Sequence, residues 1–262
     1  MISKNMIKEV RALEMKKNRK RTSLFVAEGP KVVGDMLGRF GLHALIATDE
    51  WRDCHGGEIQ KMGDAARWTD DAWGVVPVSD DELRRVSFLM HPQQVVALFK
   101  IPEENGMTAI DPLKELVVAL DGVQDPGNLG TIIRIADWFG IRHVICSQET
   151  ADAYNPKVVQ ATMGSLASVS VHYVNLESYL VSQPKDVKIY GTLLDGQDIY
   201  ETRLSAAGII VMGNEGNGLT EAVRRLVTHR LLIPDFNPDK RAESLNVAIA
   251  TSIVCSEFRR RG

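Results

Sequence analysis

Leu116-Val117-Val118-Ala119-Leu120-Asp121-Gly122-Val123-Gln124-Asp125-Pro126-Gly127-Asn128-Leu129-Gly130-Thr131-Ile132-Ile133-Arg134-Ile135-Ala136 runs a buried strand into a Pro/Gly turn and then opens a helix. The apolar run Leu116 to Leu120 is short and β-rich, Pro126, Gly127 and Gly130 supply the turn, and Asn128 is a cap residue for the helix. Helical side chains point back toward the N-terminus, so Arg134 leans over position 130, one turn earlier. Gly130 leaves that space empty. The guanidinium can then lie toward the loop, where exposed backbone N–H groups also favour an anion such as phosphate. The stretch reads as a ligand-binding strand-loop-helix; the alternative at this point is an ordinary βα turn followed by one surface arginine.

Two more segments have the same character. Gly208-Ile209-Ile210-Val211-Met212 is a buried-strand pattern that ends in Gly213-Asn214-Glu215-Gly216-Asn217-Gly218-Leu219-Thr220. Three glycines in that turn permit close backbone approach and positive φ, which suits a wall around a flat ligand, with Glu215 held in the middle. Leu231-Leu232-Ile233-Pro234 is another short strand, followed by a polar loop and Ala242-Glu243-Ser244-Leu245-Asn246-Val247-Ala248-Ile249-Ala250.

In this order and spacing, the three segments resemble the three motifs of the SpoU/TrmH RNA 2′-O-ribose methyltransferases, over Leu116 to about Phe258. The resemblance implies an α/β-knot (SPOUT) methyltransferase fold, S-adenosylmethionine as methyl donor, RNA as substrate and a homodimer formed through the C-terminal domain. The knot is implied by the family alone, because general topology rules disfavour one. By the same resemblance Asn128, Gly130 and Arg134 correspond to the first motif, whose Asn and Arg serve the catalytic step. Gly213, Glu215 and Gly218 correspond to the second. Ile233, Pro234, Ser244, Leu245 and Asn246 correspond to the third, where backbone around the Ile and Leu positions holds the cofactor together with the glycine of the second motif. Thr192 and Leu193 end a strand before Asp195-Gly196, a turn like the one that borders the adenosine pocket in family members. The implied catalytic set is therefore Arg134, Asn128, Glu215, Ser244 and Asn246. The implied cofactor set is Thr192, Leu193, Gly213, Asn214, Gly218, Ile233, Pro234 and Leu245. Two departures stand out: the loop Asp235 to Arg241 is a few residues longer than usual, and Asn214 occupies a position where serine is common, a change expected to matter little.

The chemistry has requirements of its own. A ribose 2′-hydroxyl is a poor nucleophile, so methyl transfer needs near-attack positioning and a route for the proton to leave. The donor carries the reactive group, and the protein contributes orientation and electrostatics. An arginine, with a pKa above about 12, is a weak literal base. Arg134 is accordingly assigned phosphate contact and hydroxyl polarisation first, and base second. Glu215 is the next candidate base, or else it caps a helix or orients Arg134.

The whole chain has 262 residues, 44% of them apolar and 25% charged, with a net charge of −3. Those values are ordinary for a soluble globular protein of one large or two small domains and argue against a histone-like binder. Charge is segregated, however. Lys4 to Arg21 holds eight Lys or Arg against two Glu, whereas Asp49 to Glu82 is acidic. Lys16, Lys17, Arg19, Lys20 and Arg21 are the expected RNA-phosphate contacts of that arm; a solvated helix face is the alternative. Cys54, Cys146 and Cys255 form no C-x-x-C pair, which suits a reducing cytoplasm, and the last two sit in apolar surroundings expected to be core. Met1 opens a polar, basic helix instead of a signal peptide, no apolar run approaches a membrane span of about 20 residues, and the histidines share no metal-ligand spacing. No metal and no membrane are expected.

A division falls between Pro102 and Pro112, where periodicity is lost, giving domains over 1–103 and 104–262; the resemblance implies that the first is an N-terminal RNA substrate-binding domain and the second the methyltransferase domain. The first is a small α/β domain: a helix from about Ser3 to Lys17, strand Leu24 to Val26, helix Lys31 to Leu37, strand Leu42 to Ala47, strand Gly74 to Val78, a helix opened by the capping box Ser79/Glu82, and strand Gln94 to Phe99. Phe25-Val26-Ala27-Glu28-Gly29 and the helix after it resemble the substrate-binding domain of many SpoU enzymes. In the second domain strands alternate with helices, which implies a mostly parallel sheet covered on both faces. The last helix, Leu245 to about Arg260, is apolar nearly all round as far as Cys255 and must be buried on more than one side, at a subunit interface or within the monomer.

Three functions are weighed: an RNA ribose methyltransferase acting on rRNA more than tRNA, a non-catalytic RNA-binding protein of the same fold, and a dinucleotide-dependent dehydrogenase. Gly213, Gly216 and Gly218 are spaced G-x-x-G-x-G, not G-x-G-x-x-G, and lie far from the first strand, which disfavours the dehydrogenase; no P-loop sequence is present either. Donor binding and methyl transfer separate the first two.

Overall fold

The computed structural model describes residues 2–55, 68–103, 110–237, 239 and 244–261. Most of the expected interdomain stretch (104–109) and part of the lengthened loop with Ala242 and Glu243 (238 and 240–243) lie outside the described residues. The chain forms two compact units, residues 1–105 with 152–167, and residues 106–151 with 168–262.

In the first unit, helices α1 (Lys4–Ala12) and α2 (Lys16–Thr22) precede strand β1 (Leu24–Glu28), α3 (Pro30–Met36), β2 (Leu42–Ala47), β3 (Gly74–Pro77), α4 (Asp80–Val86) and β4 (Val95–Lys100). The sheet order is β1-β4-β2-β3, with β4 antiparallel to both neighbours and β3 parallel to β2. One face packs Val26, Ala44, Ile46, Val96 and Leu98 against Val10, Leu83 and Val86 of the helices and Leu13 just after α1. The capping box forms as expected, with Ser79 N donating to Glu82 Oε2 at 3.1 Å and Glu82 N to Ser79 Oγ at 3.3 Å.

The first helix is not continuous from Ser3 to Lys17. It breaks after Ala12, and Arg19 is the reason the break is tolerated. Arg19 Nη1 donates to the Leu13 and Glu14 carbonyls at 2.7 and 2.8 Å, and its Nη2 pairs with Asp152 Oδ2 at 2.6 Å. Carbonyls left open at a helix end need a donor, and a guanidinium supplies several in a fixed fork.

In the second unit, β5 (Leu116–Asp121), α5 (Pro126–Trp138) and β6 (His143–Ser147) lead, through α6 (Pro156–Ala161) of the first unit, to β7 (Ser170–Val174) and α7 (Leu176–Val181). There follow β8 (Ile189–Asp198), β9 (Gly208–Gly213), α8 (Glu221–Leu226), β10 (His229–Leu232) and α9 (Val247–Arg261). The sheet order is β10-β8-β9-β5-β6-β7, and every pairing is parallel. Both faces are therefore covered, as the continuous apolar strands require. Alternate residues Val117, Ala119, Ile209 and Val211 face Leu176, Leu180 and Val223 of α7 and α8, while α5 and α9 pack on one another. Cys146 and Cys255 are core, as expected; burial alone raises the first thiol, and chiefly burial pushes the second up to about 12.

From β5 the chain winds to β6 and β7 on one side, and then crosses to build β8, β9 and β10 on the other. The direction reverses between β5 and β9. In open parallel sheets, ligands bind outside the carboxyl ends of the strands at such a reversal. The loops that leave β5 and β9 there carry two of the three segments singled out in the sequence.

Candidate active site

The loop after β5 starts with Gly122 at φ +74°. Helix α5 then begins at Pro126, and its cap is Asp125, whose Oδ1 accepts from Asn128 N at 2.8 Å. Asn128 is thus not the cap. It lies in the first turn, with its side chain released for another task. The signal was in the sequence, since an Asp directly before Pro is a favoured Ncap–N1 pair.

Glu215 sits in the loop after β9 and reaches across to the first loop. Its carboxylate accepts from Gln124 N at 3.3 Å, Asp125 N at 3.2 Å and Asn128 Nδ2 at 3.0 Å. Asn214 Nδ2 lies 3.4 Å from the same carboxylate. Partial burial raises the Glu215 pKa, but the Asn128 side chain and the backbone donors outweigh it, and the net shift is downward. A carboxylate so supplied with donors stays ionised and is a poor proton acceptor. The geometry directs the Glu215 carboxylate at Asn128 and the backbone of the first loop.

Asn246 closes the arrangement from the third segment. Its Oδ1 accepts from Ala248 N at 2.9 Å and Ile249 N at 3.3 Å, capping α9, while its Nδ2 donates to Asn128 Oδ1 at 2.9 Å. The amide orientations are forced at both ends. Glu215 can only accept, and Asn246 Oδ1 is committed to two N–H groups, so Asn128 must turn Nδ2 to Glu215 and Oδ1 to Asn246. Asn128 is left with one N–H and one lone pair. Arg134, one turn beyond buried Gly130, is exposed and makes no hydrogen bond or ion pair among the described residues. Ser244 is exposed, two residues before Asn246.

The glycine loop is organised by Asn214, contrary to the expectation that this residue matters little. Its Nδ2 donates to Gly122 O at 2.7 Å, its Oδ1 accepts from Gly216 N and Asn217 N at 3.0 and 3.1 Å, and its backbone pairs with Gly218 in both directions. Gly218 has φ +68°, where glycine is the natural residue. At Gly213 a Cβ would lie 2.3 Å from Gly218 C and 2.5 Å from Leu219 N. The close approach is made by the loop's own backbone, so Gly213 shapes the wall before any ligand meets it.

The pairing of β8 with edge strand β10 is interrupted: Gly191 pairs with Arg230 and Gln197 with Leu231, so residues 192–196 bulge out between these two pairs. Thr192 and Leu193 open this excursion rather than ending the strand. Gly196 is needed where it returns, since a Cβ there would lie 2.4 Å from Leu231 C. Asp195 anchors the excursion to Arg224 and Arg230 at 2.8 Å each. β10 ends at Leu232, which places Ile233 and Pro234 just beyond it, half-buried, and not within the strand. Around the same end of the sheet Leu194 is 80%, Phe236 82% and Leu245 50% exposed.

Of the expected RNA contacts, Lys16, Lys17, Lys20 and Arg21 are exposed. Arg19 is not available: it is 2% exposed and committed to Asp152 and two carbonyls. Sequence alone ranks it with its neighbours, because only the break in the helix assigns it inward. No group of three or more potential metal ligands occurs among the described residues.

A model described as the SpoU rRNA Methylase family matches residues 115–256, and one described as the MRM3-like substrate binding domain matches residues 4–97. The 23S rRNA (guanosine(2553)-2′-O)-methyltransferase RlmP of Bacillus subtilis (strain 168) is 33% identical over 256 residues, covering 97% of this chain and 95% of the relative. A putative RNA methyltransferase of the TrmH family from Porphyromonas gingivalis superposes with a TM-score of 0.83 at 42% identity, covering 100% of both chains. The AdoMet-bound rRNA methyltransferase from Sinorhizobium meliloti superposes with a TM-score of 0.85 at 32% identity, covering 99% of this chain and 96% of that one. The chain belongs to the SpoU rRNA methylase family.

Proposed function

We propose that this protein is an S-adenosylmethionine-dependent methyltransferase acting on a ribose 2′-hydroxyl of RNA, with ribosomal RNA as the substrate class. The observation that carries the reading is the hydrogen-bonded line from Glu215 through Asn128 to Asn246, which joins all three family segments at the carboxyl ends of the strands. The ribosomal assignment rests on the Bacillus subtilis relative, which matches along nearly its whole length.

The site suits the cofactor. Leu194, Phe236 and Leu245 expose apolar side chains at one end of the sheet, beside half-buried Thr192, Leu193, Ile233 and Pro234. Apolar groups left exposed at the end of a sheet fit a flat, partly apolar ligand such as an adenosine, and the glycine loop Gly213 to Gly218 offers closely packed backbone beside it. When bound, S-adenosylmethionine supplies an electrophilic methyl group on a sulfonium. Thr192, Leu193, Gly213, Gly218, Ile233, Pro234 and Leu245 hold it, with Asn214 shaping the wall.

Asn128 offers its free N–H and lone pair to the ribose hydroxyl. Arg134, exposed and without a hydrogen-bond partner among the described residues, contacts a neighbouring phosphate and polarises the hydroxyl oxygen, whose proton passes to solvent water. Glu215 and Asn246 keep Asn128 in place. Ser244 is a candidate for substrate contact in the segment that leads into α9. Lys16, Lys17, Lys20 and Arg21 of the substrate-binding unit contact RNA phosphates.

A trefoil knot is part of the proposal, supported by the return of the chain from edge strand β10 to α9, which packs on α5 and β9. So is a homodimer through the second unit, supported by exposed Ile249 on α9 and Trp138 on α5. No described helix is long and apolar enough to cross a membrane, and a cytoplasmic location belongs to the proposal together with the ribosomal substrate. Mapping ribose methylation in ribosomal RNA from a deletion strain tests the assignment. One 2′-O-methylated nucleotide should be missing and should return when purified protein and donor are added; an unchanged map together with RNA binding would leave a non-catalytic RNA-binding protein of the same fold.

A further inference from the structure

The loop Gly122 to Asp125 is held from the β9 side by Asn214 and Glu215. A second set of bonds reaches it from β6, the neighbour of β5 on the opposite side. Ser147, the last residue of β6, and Thr150 are both buried. Gly122 N donates to Ser147 Oγ at 3.0 Å, Ser147 Oγ lies 3.2 Å from Thr150 Oγ1, and Thr150 Oγ1 donates to Leu120 O at 3.3 Å. Each hydroxyl owns one proton. That of Thr150 goes to Leu120 O, so that of Ser147 goes to Thr150 Oγ1, and the chain runs in one direction from the Gly122 amide to the Leu120 carbonyl. Ala151 N adds a bond to Val123 O at 2.9 Å.

Gly122, at φ +74°, is the conformationally loosest residue of the connection. The hydroxyl chain fixes the one point at which the loop leaves the sheet, three residues before Asp125 caps α5. We propose that Ser147 and Thr150 are positioning residues for methyl transfer: they set the loop from which Asn128 projects, without touching substrate themselves. The inference rests on the methyltransferase reading. It follows from the sensitivity of transfer reactions to small displacements of groups that must be in place before reaction.

The test uses Thr150→Val, which keeps the shape and removes the hydroxyl, Thr150→Ser, which keeps the hydroxyl, and Ser147→Ala with Ser147→Cys as its closer replacement in volume. Amide hydrogen exchange over residues 122–125, thermal midpoint, and single-turnover transfer at saturating donor and RNA are measured on the full chain. Thr150→Val and the Ser147 variants should exchange the Gly122 amide and slow transfer by about tenfold each, the scale of one lost hydrogen bond, in opposite directions: exchange faster, transfer slower. With RNA varied in the same assay, its half-saturating concentration should stay within about twofold, because no binding contact is removed, and Thr150→Ser should recover the parental exchange and transfer rates. Parental transfer in Thr150→Val, or equal loss in Thr150→Ser and Thr150→Val, would overturn the inference. So would exchange that accelerates uniformly along the chain in step with lost stability. If the parent itself transfers no methyl group to RNA, the methyltransferase reading fails as well; if the parent is active and the variants match it, only this inference fails.

Discussion

Asn246 donates its side-chain amide to Asn128 Oδ1 at 2.9 Å, joining residues 118 positions apart in the chain. The bond ties the cap of the last helix to the first turn of α5, and because Glu215 holds the other end of the Asn128 amide, a donor is required at position 246.

That requirement separates two substitutions. Asn246→Ala should lose the cap as well as the link, at a cost of about 1 kcal/mol in stability. Asn246→Asp keeps an acceptor for Ala248 N and Ile249 N but sets an acceptor against Asn128 Oδ1. It should fold with a parental melting temperature and still slow single-turnover transfer by roughly two orders of magnitude. Parental turnover in Asn246→Asp would show that the Asn128 orientation is not used.

Gly213→Ala should disturb the glycine loop, since the new Cβ would meet backbone of residues 218 and 219. Donor affinity, read by calorimetry, should fall at least tenfold while the far-ultraviolet spectrum is unchanged, a loss of about 1.4 kcal/mol. Unchanged affinity would remove this loop from the cofactor wall.

These two sites show how far the sequence could be read. Gly213, Glu215, Asn128 and Asn246 were legible because their order and spacing repeat a family pattern, and the parallel sheet was legible from strands apolar on both faces. Other features depend on distant partners. Asn214 looks like a minor change until its four side-chain bonds are seen, Arg19 looks like its basic neighbours until it turns inward, and the excursion at Thr192 and Leu193 is set by the register of β10. Periodicity reports which face of an element is buried, whereas it does not report what a polar side chain meets there.

Arg19 and its neighbours should behave as different classes. Arg19→Ala leaves Asp152 and two carbonyls without their donor and should destabilise the first unit by roughly 3–5 kcal/mol, the scale of a broken buried pair. Replacing Lys17, Lys20 and Arg21 with Gln should leave the melting temperature nearly unchanged, weaken RNA binding and flatten its salt dependence. A stable Arg19→Ala protein with a reduced salt slope would return Arg19 to the RNA-binding set.

Glu215 predicts an acid limit. Its pKa is lowered in the folded protein, so the order it provides is fully present above the unfolded value and is lost as pH falls through the lower, folded one. The tie between the two loops should therefore hold from neutral pH to below the ordinary value of 4.5 and weaken only beyond it. Hydrogen exchange at Gln124 and Asp125, corrected for intrinsic rate, should show no change between pH 7 and pH 5 in the parent, and faster exchange throughout that range in Glu215→Gln. Loosening of the parental loop above pH 5 would contradict the assignment.

The most direct measurement of the central claim is single-turnover transfer of a labelled methyl group from saturating S-adenosylmethionine to ribosomal RNA, followed by alkaline hydrolysis. A 2′-O-methyl group blocks cleavage of the adjoining phosphodiester, so the parent should place its label in an alkali-resistant dinucleotide. Arg134→Ala should keep donor affinity and most RNA affinity while losing that product by about a hundredfold or more, and Arg134→Lys should restore little of it, because an ammonium lacks the planar fork. Label recovered in alkali-labile mononucleotides, or a parental rate in Arg134→Ala, would contradict the account.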